Sequence, residues 1–123
     1  MAFKLSQSAT YTWPMKITLP ADGGRRETHS FDAVLRRLPQ SRINELIRQV
    51  KLQERGDVDP ADEIQDIDAA REVVAGWSGI LDDDGEQLPF TDANLTMLLE
   101  IPTVAGQIVK NWFGSLNEAK QKN

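Results

Sequence analysis

Between Tyr11 and Leu19 the apolar residues fall at every second position: Tyr11, Trp13, Met15, Ile17 and Leu19, with Thr12, Pro14, Lys16 and Thr18 between them. A period of two marks a strand with one buried face. Pro14 has no N–H to offer a neighbour, so the strand lies at a sheet edge or turns its residue-14 side outward. Asp22, Gly23 and Gly24 then supply a turn that tolerates positive φ, and alternation resumes with His29, Phe31, Ala33 and Leu35 on one face. The pattern predicts a long hairpin over residues 10–36. Two strands alone are marginal in water, so the segments downstream must cover their apolar face.

Those segments have helical spacing. From Pro39, Ile43, Leu46, Ile47 and Val50 recur at i, i+3, i+4 and i+7, which leaves Arg42, Arg48, Lys51 and Arg55 to water, and Gly56 stops the run. Asp59 and Pro60 suit the cap and first position of a second helix, with Ile64, Ile67, Ala70, Val74 and Trp77 as its stripe and Gly79 at its end. Asp82 to Gln87 reads as a polar loop. Thr91 caps a third helix carrying Leu95, Leu98 and Leu99, which Pro102 closes. Thr103 caps a fourth, with Val104, Ile108, Trp112 and Leu116 on one face and Lys120 and Lys122 near its negative end. The expectation is one α+β domain over residues 1–123: a β-hairpin at 10–36 packed on about four α-helices within 39–118, mostly helical, and a frayed tail at 119–123.

A chain of 123 residues is long enough for one core and too short for two ordinary domains. No apolar run approaches the roughly 20 residues of a membrane span. The opening MAFKLSQSAT has one lysine and no continuous apolar stretch, so it does not read as a secretory signal. The absence of cysteine excludes disulfides, thiolate zinc sites and cysteine nucleophiles, and fits a reducing cytoplasm. Charge is segregated: residues 1–56 carry ten Lys/Arg against five Asp/Glu, whereas residues 57–100 carry one against thirteen. Such polarity favours a charged partner or head-to-tail self-association, or it is simply two solvated faces.

Candidate chemistry fails on spacing. Asp82, Asp83, Asp84, Gly85 and Glu86 resemble a calcium loop in composition, yet aligning Gly85 with the invariant glycine puts Ile80 at the first ligand position and Thr91 where the bidentate glutamate belongs. His29 is the only histidine, and Ser78 before Gly79 lacks the rest of a nucleophile elbow. Gly23 and Gly24 lack the remainder of a phosphate loop. The basic positions Arg36, Arg37, Arg48, Lys51 and Arg55 sit in an acidic chain, a poor setting for nucleic acid. We therefore expect no enzyme, no metal, no cofactor, no nucleic-acid function and no membrane association.

From Trp77 the order of residues becomes specific: Trp77-Ser78-Gly79-Ile80, Asp83-Asp84-Gly85-Glu86, Leu88-Pro89-Phe90-Thr91, Asn94-Leu95, Leu98-Leu99, Pro102, then Val104, Ile108, Trp112 and Phe113. Together with Gly23-Gly24, Phe31 and Leu35-Arg36-Arg37-Leu38, this resembles the tail assembly chaperones of long-tailed bacteriophages and their prophages. The resemblance implies a non-virion helper in the cytoplasm of the bacterial host. It would bind the tape measure protein, keep it soluble and help recruit tail tube protein around it. The alternative is a small structural head or tail completion protein of the virion, and a third reading is an acidic regulator of a DNA-binding partner.

A holding partner needs apolar surface, and several copies are needed to cover a long chain. The candidate partner-binding residues are Trp13, Met15, Trp77, Phe90, Trp112 and Phe113, since aromatics anchor interfaces. Trp77 and Trp112 can equally serve the core. A homo-oligomer is expected, with Trp13 and Met15 on an edge strand supplying apolar contact and the charge blocks supplying orientation.

Overall fold

The computed structural model describes residues 8–54 and 61–116. Expectations for Arg55, Gly56, Asp59, Pro60, Lys120 and Lys122, and those for the side chains of Val50, Lys51 and Ile64, lie outside what is described.

The hairpin forms as the alternation requires. Strand β1 (Thr10–Pro20) runs antiparallel to β2 (Arg26–Arg36), in register from Thr10 opposite Arg36 to Pro20 opposite Arg26. A 3-10 turn at Asp22–Gly24 joins them, with Gly23 at φ 75° and Gly24 at φ 78°. Those angles strain any residue with a Cβ, which is why two glycines stand there. Met15, Ile17, Ala33 and Leu35 are buried on one face, while Thr12, Pro14, Lys16, Ser30 and Asp32 meet water on the other.

Helix α1 (Gln40–Glu54) follows β2, and α2 (Ala61–Val73) follows α1. The second helix is shorter than its apolar stripe suggested. Val74 and Trp77 belong to a third strand, β3 (Val74–Ser78), which pairs antiparallel with β2 and gives the sheet order β1-β2-β3. Trp77 thus faces Ala33 across a ladder and does not close a helix. Two causes end α2 at Val73. The β-branched pair Val73-Val74 and then Gly76 are poor helix formers, and Val74 is buried opposite Leu35, beside a bulge at Val34/Leu35. Arg36 fixes the junction: its Nη1 donates to the carbonyls of Glu72 at 2.8 Å, Val74 at 2.9 Å and Arg71 at 3.4 Å. A guanidinium on the last carbonyls of a helix satisfies orphan acceptors and sits favourably on the negative dipole end.

Helix α3 (Asp92–Leu99) is capped by Thr91, whose hydroxyl accepts from the backbone N–H of Asn94 at 3.1 Å. Helix α4 (Val104–Leu116) starts at Thr103, whose carbonyl accepts from the Gln107 N–H at 3.0 Å and whose hydroxyl accepts from the Gln107 side chain at 3.1 Å. Val104, Ala105, Ile108, Val109 and Trp112 bury one face of α4 in the core. Leu95 and Leu99 of α3 join them with Ala69, Ala70 and Val73 of α2 and Leu46 of α1. Among the described residues the architecture is α+β: a three-stranded antiparallel sheet and four helices, of which α2 and α4 pack directly against the sheet. Among the described residues no helix is long and apolar enough to cross a membrane.

Helix α4 also closes the outer edge of β1 at Lys16 and Thr18. The Gln107 amide accepts from Thr18 N–H at 2.7 Å and donates to Thr18 C=O at 2.8 Å. The Asn111 amide does the same for Lys16, at 3.3 and 3.2 Å. An i,i+4 step along a helix covers about 6 Å and two strand residues about 6.7 Å, so two side-chain amides can stand in for a neighbouring strand.

Candidate partner-binding surface

The stretch from Trp77 to Phe90 folds into a clamp. Trp77 Nε1 donates to the carbonyl of Leu88 at 2.8 Å, and its ring meets Phe90 edge-on with centroids 4.9 Å apart. Between them Leu81 bridges Gln87, Leu88 N–H donates to Ile80 C=O at 2.7 Å, and the Gln87 side chain accepts from Gly79 N–H at 2.9 Å. The Asp82 carboxylate accepts from the N–H groups of Asp84 at 2.9 Å and Glu86 at 3.0 Å. It organises a turn in which Gly85 takes φ 79°. Among the described residues no three His, Asp or Glu side chains gather as a metal site would need.

The five candidate aromatics and Met15 separate into different environments. Met15 and Trp112 are 0% and 1% exposed and serve the core, so neither offers contact area in this fold. Trp77 and Phe90 are half-buried in the clamp. Phe113 is half-buried beside Trp112, with ring centroids 4.8 Å apart. Trp13 is half-buried and lines a groove of about 480 Å³ with Tyr11, Leu38, Ile43 and Leu116. Leu116, placed by its spacing on the apolar face of α4, is 41% exposed at the end of that groove.

Charge rims this groove. Arg36 and Arg37 both line it, and the Arg37 guanidinium lies 4.9 Å above the Tyr11 ring, whose hydroxyl shares a 2.7 Å hydrogen bond with Ser115. A cation over an aromatic face is attracted by the ring quadrupole and stays solvated on its other side. Sequence reasoning named Trp13 here but not Tyr11, Leu38 or Ile43. The signal was present, since Tyr11 shares the Trp13 face of the strand and Leu38 sits at the strand-to-helix turn.

The basic face of α1 is partly committed within the chain. Arg42 donates from Nε and Nη2 to the two oxygens of Glu72, at 2.8 and 2.6 Å, and from Nη1 to Glu45 at 3.2 Å. The hydrogen bond from Arg42 holds the Glu72 carboxyl below the usual range, and Glu72 in turn raises the guanidinium further above its own. Arg71 ties α2 to α3 through Asp92 at 2.8 Å and the Thr96 hydroxyl at 2.7 Å. Arg42, expected to face water, instead pairs the basic segment with the acidic one.

The family model of the YdaY prophage protein matches residues 27–122, from β2 through α4. The chain belongs to the YdaY prophage protein family. No curated protein and no solved structure matches it. The YdaY match takes in the Trp77–Phe90 clamp and begins after the turn of the hairpin, so Tyr11 and Trp13 lie in the part of this chain that precedes it.

Proposed function

We propose that this prophage protein is a tail assembly chaperone: a non-enzymatic, cofactor-free helper in the host cytoplasm that binds the tape measure protein, keeps it soluble and helps bring tail tube protein to it. The observation that carries the reading is the Tyr11–Trp13–Leu116 groove, an apolar trough with guanidinium groups at its rim, on a chain of prophage origin. Such a trough suits one face of an amphipathic helix bearing acidic neighbours, the kind of surface a long helical protein exposes before assembly. The resemblance of residues 77–113 to the chaperones of phage tails supports the same reading.

Self-association belongs to this proposal. With Met15 in the core and the β1 edge taken by α4 at Lys16 and Thr18, apolar contact between copies at this end runs through Trp13 and Leu116. Exposed ion pairs contribute only about 0–1 kcal/mol each, so charge sets orientation and rate more than affinity.

The test is co-expression with the long protein encoded beside it. The reading expects that protein to be soluble only with its partner, with solubility falling for Trp13→Ala and Leu116→Asp. Detection of the chain as a stoichiometric component of purified virions would replace this reading with a structural one. Sedimentation at tens of micromolar protein tests the oligomer; a clean monomer in low and high salt sinks that part.

A further inference from the structure

The outer half of β2 is finished differently from β1. In the hairpin Thr18 stands opposite Thr28, and Lys16 opposite Ser30. Thr18 and Lys16 turn their backbone N–H and C=O outward to Gln107 and Asn111, so these are the non-hydrogen-bonded pairs of the ladder. Thr28 and Ser30 therefore turn theirs outward on the opposite side. The 3.2 Å approach of the Thr18 and Thr28 hydroxyls is the close side-chain contact such a pair gives. Strand β3 pairs with β2 only between Asp32 and Leu35. Over Arg26–Ser30 no described strand flanks this side of β2, and the outward groups of Thr28 and Ser30 meet no hydrogen-bond partner among the described residues.

An apolar groove of about 560 Å³ lies beside that edge, walled by Leu19, Phe31, Leu81, Leu98 and Ile101. Leu81 is 58% and Ile101 40% exposed, so apolar surface meets water at the place where the ladder is also open. Gly79, at φ 90°, turns the chain away directly after β3. A Cβ there would stand 3.5 Å from Phe31 Cα.

We propose that an extended segment of a partner protein adds to β2 here as a fourth strand, extending the line of β3 and laying alternate apolar side chains into the groove. Main-chain bonds to Thr28 and Ser30 would supply affinity, and the groove would select the side chains. Charge specifies the occupant further. Arg25 and Arg26 are exposed at the hairpin tip and pair with no carboxylate among the described residues, while the loop after Leu81 presents exposed Asp83 and Asp84. The segment is acidic at its Arg26 end and basic at its Leu81 end. A second copy fits less well, because pairing these edges with each other would lay Glu27 and His29 of that copy over the apolar groove.

The inference stands apart from the tape measure reading, and co-expression can fail without touching it. The test is an NMR titration of the isotope-labelled full chain with the capped peptide Lys-Val-Thr-Val-Thr-Val-Asp, which carries its acidic end towards Arg26 when it runs antiparallel to β2 as β3 does, and with its analogue N-methylated at alternate residues. Saturable binding is expected, with shifts at Arg26–Phe31, Leu81 and Ile101 and none at Lys16 or Thr18. Affinity should fall about tenfold or more on N-methylation, since at least two main-chain bonds are lost, and comparably with Leu81→Asp at an exposed position. No binding up to the peptide's solubility limit, equal binding of the N-methylated form, indifference to Leu81→Asp, or shifts centred on α4 would each overturn the proposal. Concentration-dependent shifts of the same edge without peptide would assign it to a second copy and overturn the partner-segment reading.

Discussion

β1 and the outer half of β2 are edges of one sheet, and they are treated in opposite ways. Along β1 the outward positions include Pro14 and Pro20, which have no N–H to leave unpaired, and Thr18 and Lys16, whose groups are taken by Gln107 and Asn111. Along β2 the outward positions are Arg26, Thr28 and Ser30, with no proline and no amide opposite them. An unpaired edge is a template for another chain, and native proteins usually blunt it. Here the blunting is confined to the edge that α4 can reach. The other edge keeps its pairing groups beside Leu81 and Ile101, a combination that costs the free protein apolar exposure and gains it a place to bind.

The largest way to break the contrast is to detach α4. Trp112 is 1% exposed and is the largest of the fully buried side chains. Trp112→Ala should cost about 3–5 kcal/mol in urea unfolding, a large share of a small domain's stability. Loss of α4 packing would also uncover Thr18 and Lys16, so the variant should aggregate through β1. A variant that loses under about 1 kcal/mol and stays monodisperse would mean that α4 is not what protects this edge.

A milder change addresses the seal itself. Gln107→Leu keeps volume but leaves the Thr18 N–H and C=O without their partner, which should cost about 1–3 kcal/mol. Hydrogen exchange reads the contrast residue by residue. In the unaltered protein the Thr18 amide should be protected and the Thr28 and Ser30 amides should exchange quickly. In Gln107→Leu, Thr18 should join them while the amides bonded between β1 and β2 stay slow. Equal protection of Thr18 and Thr28 in the unaltered protein would erase the distinction between the edges.

Much of this was legible in the sequence because the hairpin's signal is local. Alternation from Tyr11 to Leu19, the Asp22-Gly23-Gly24 turn and the Thr91 cap are each written in adjacent residues, and each stands where the pattern put it. Pro14 even announced which side of β1 faces outward. β3 was hidden because Ile67, Ala70, Val74 and Trp77 keep a near-helical spacing, and only pairing with a strand some 40 residues earlier in the chain decides against the helix. The surface was legible in part. Trp13 borders a groove, whereas Met15 and Trp112 are spent on the core, because an apolar residue on an edge strand or helix face reads the same until its neighbour is known. The amide seal by Gln107 and Asn111 gave no sequence signal at all, since polar residues at i,i+4 on a helix ordinarily face water.

The smallest expected effect concerns the start of β3, at the end of that strand away from the open edge. β3 starts directly after Glu72 and Val73, so the Arg42–Glu72 pair anchors α1 to the end of α2 from which β3 departs. Both side chains are about one-third exposed, at 37% and 31%, so water screens the pair and its contribution should be only about 0–1 kcal/mol. The sign follows from the lowered Glu72 pKa: a carboxylate easier to ionise when folded stabilises the fold above its unfolded-state pKa, and the benefit is lost as pH falls through the folded-state value. Glu72→Gln should therefore be slightly less stable than the unaltered protein at neutral pH, with the two stability curves converging in acid. A gap that persists unchanged in acid would show that Glu72 acts through packing and not through charge. Exchange at the Val74 and Gly76 amides should quicken modestly in the variant, while the Thr28 and Ser30 amides, already open, should not change.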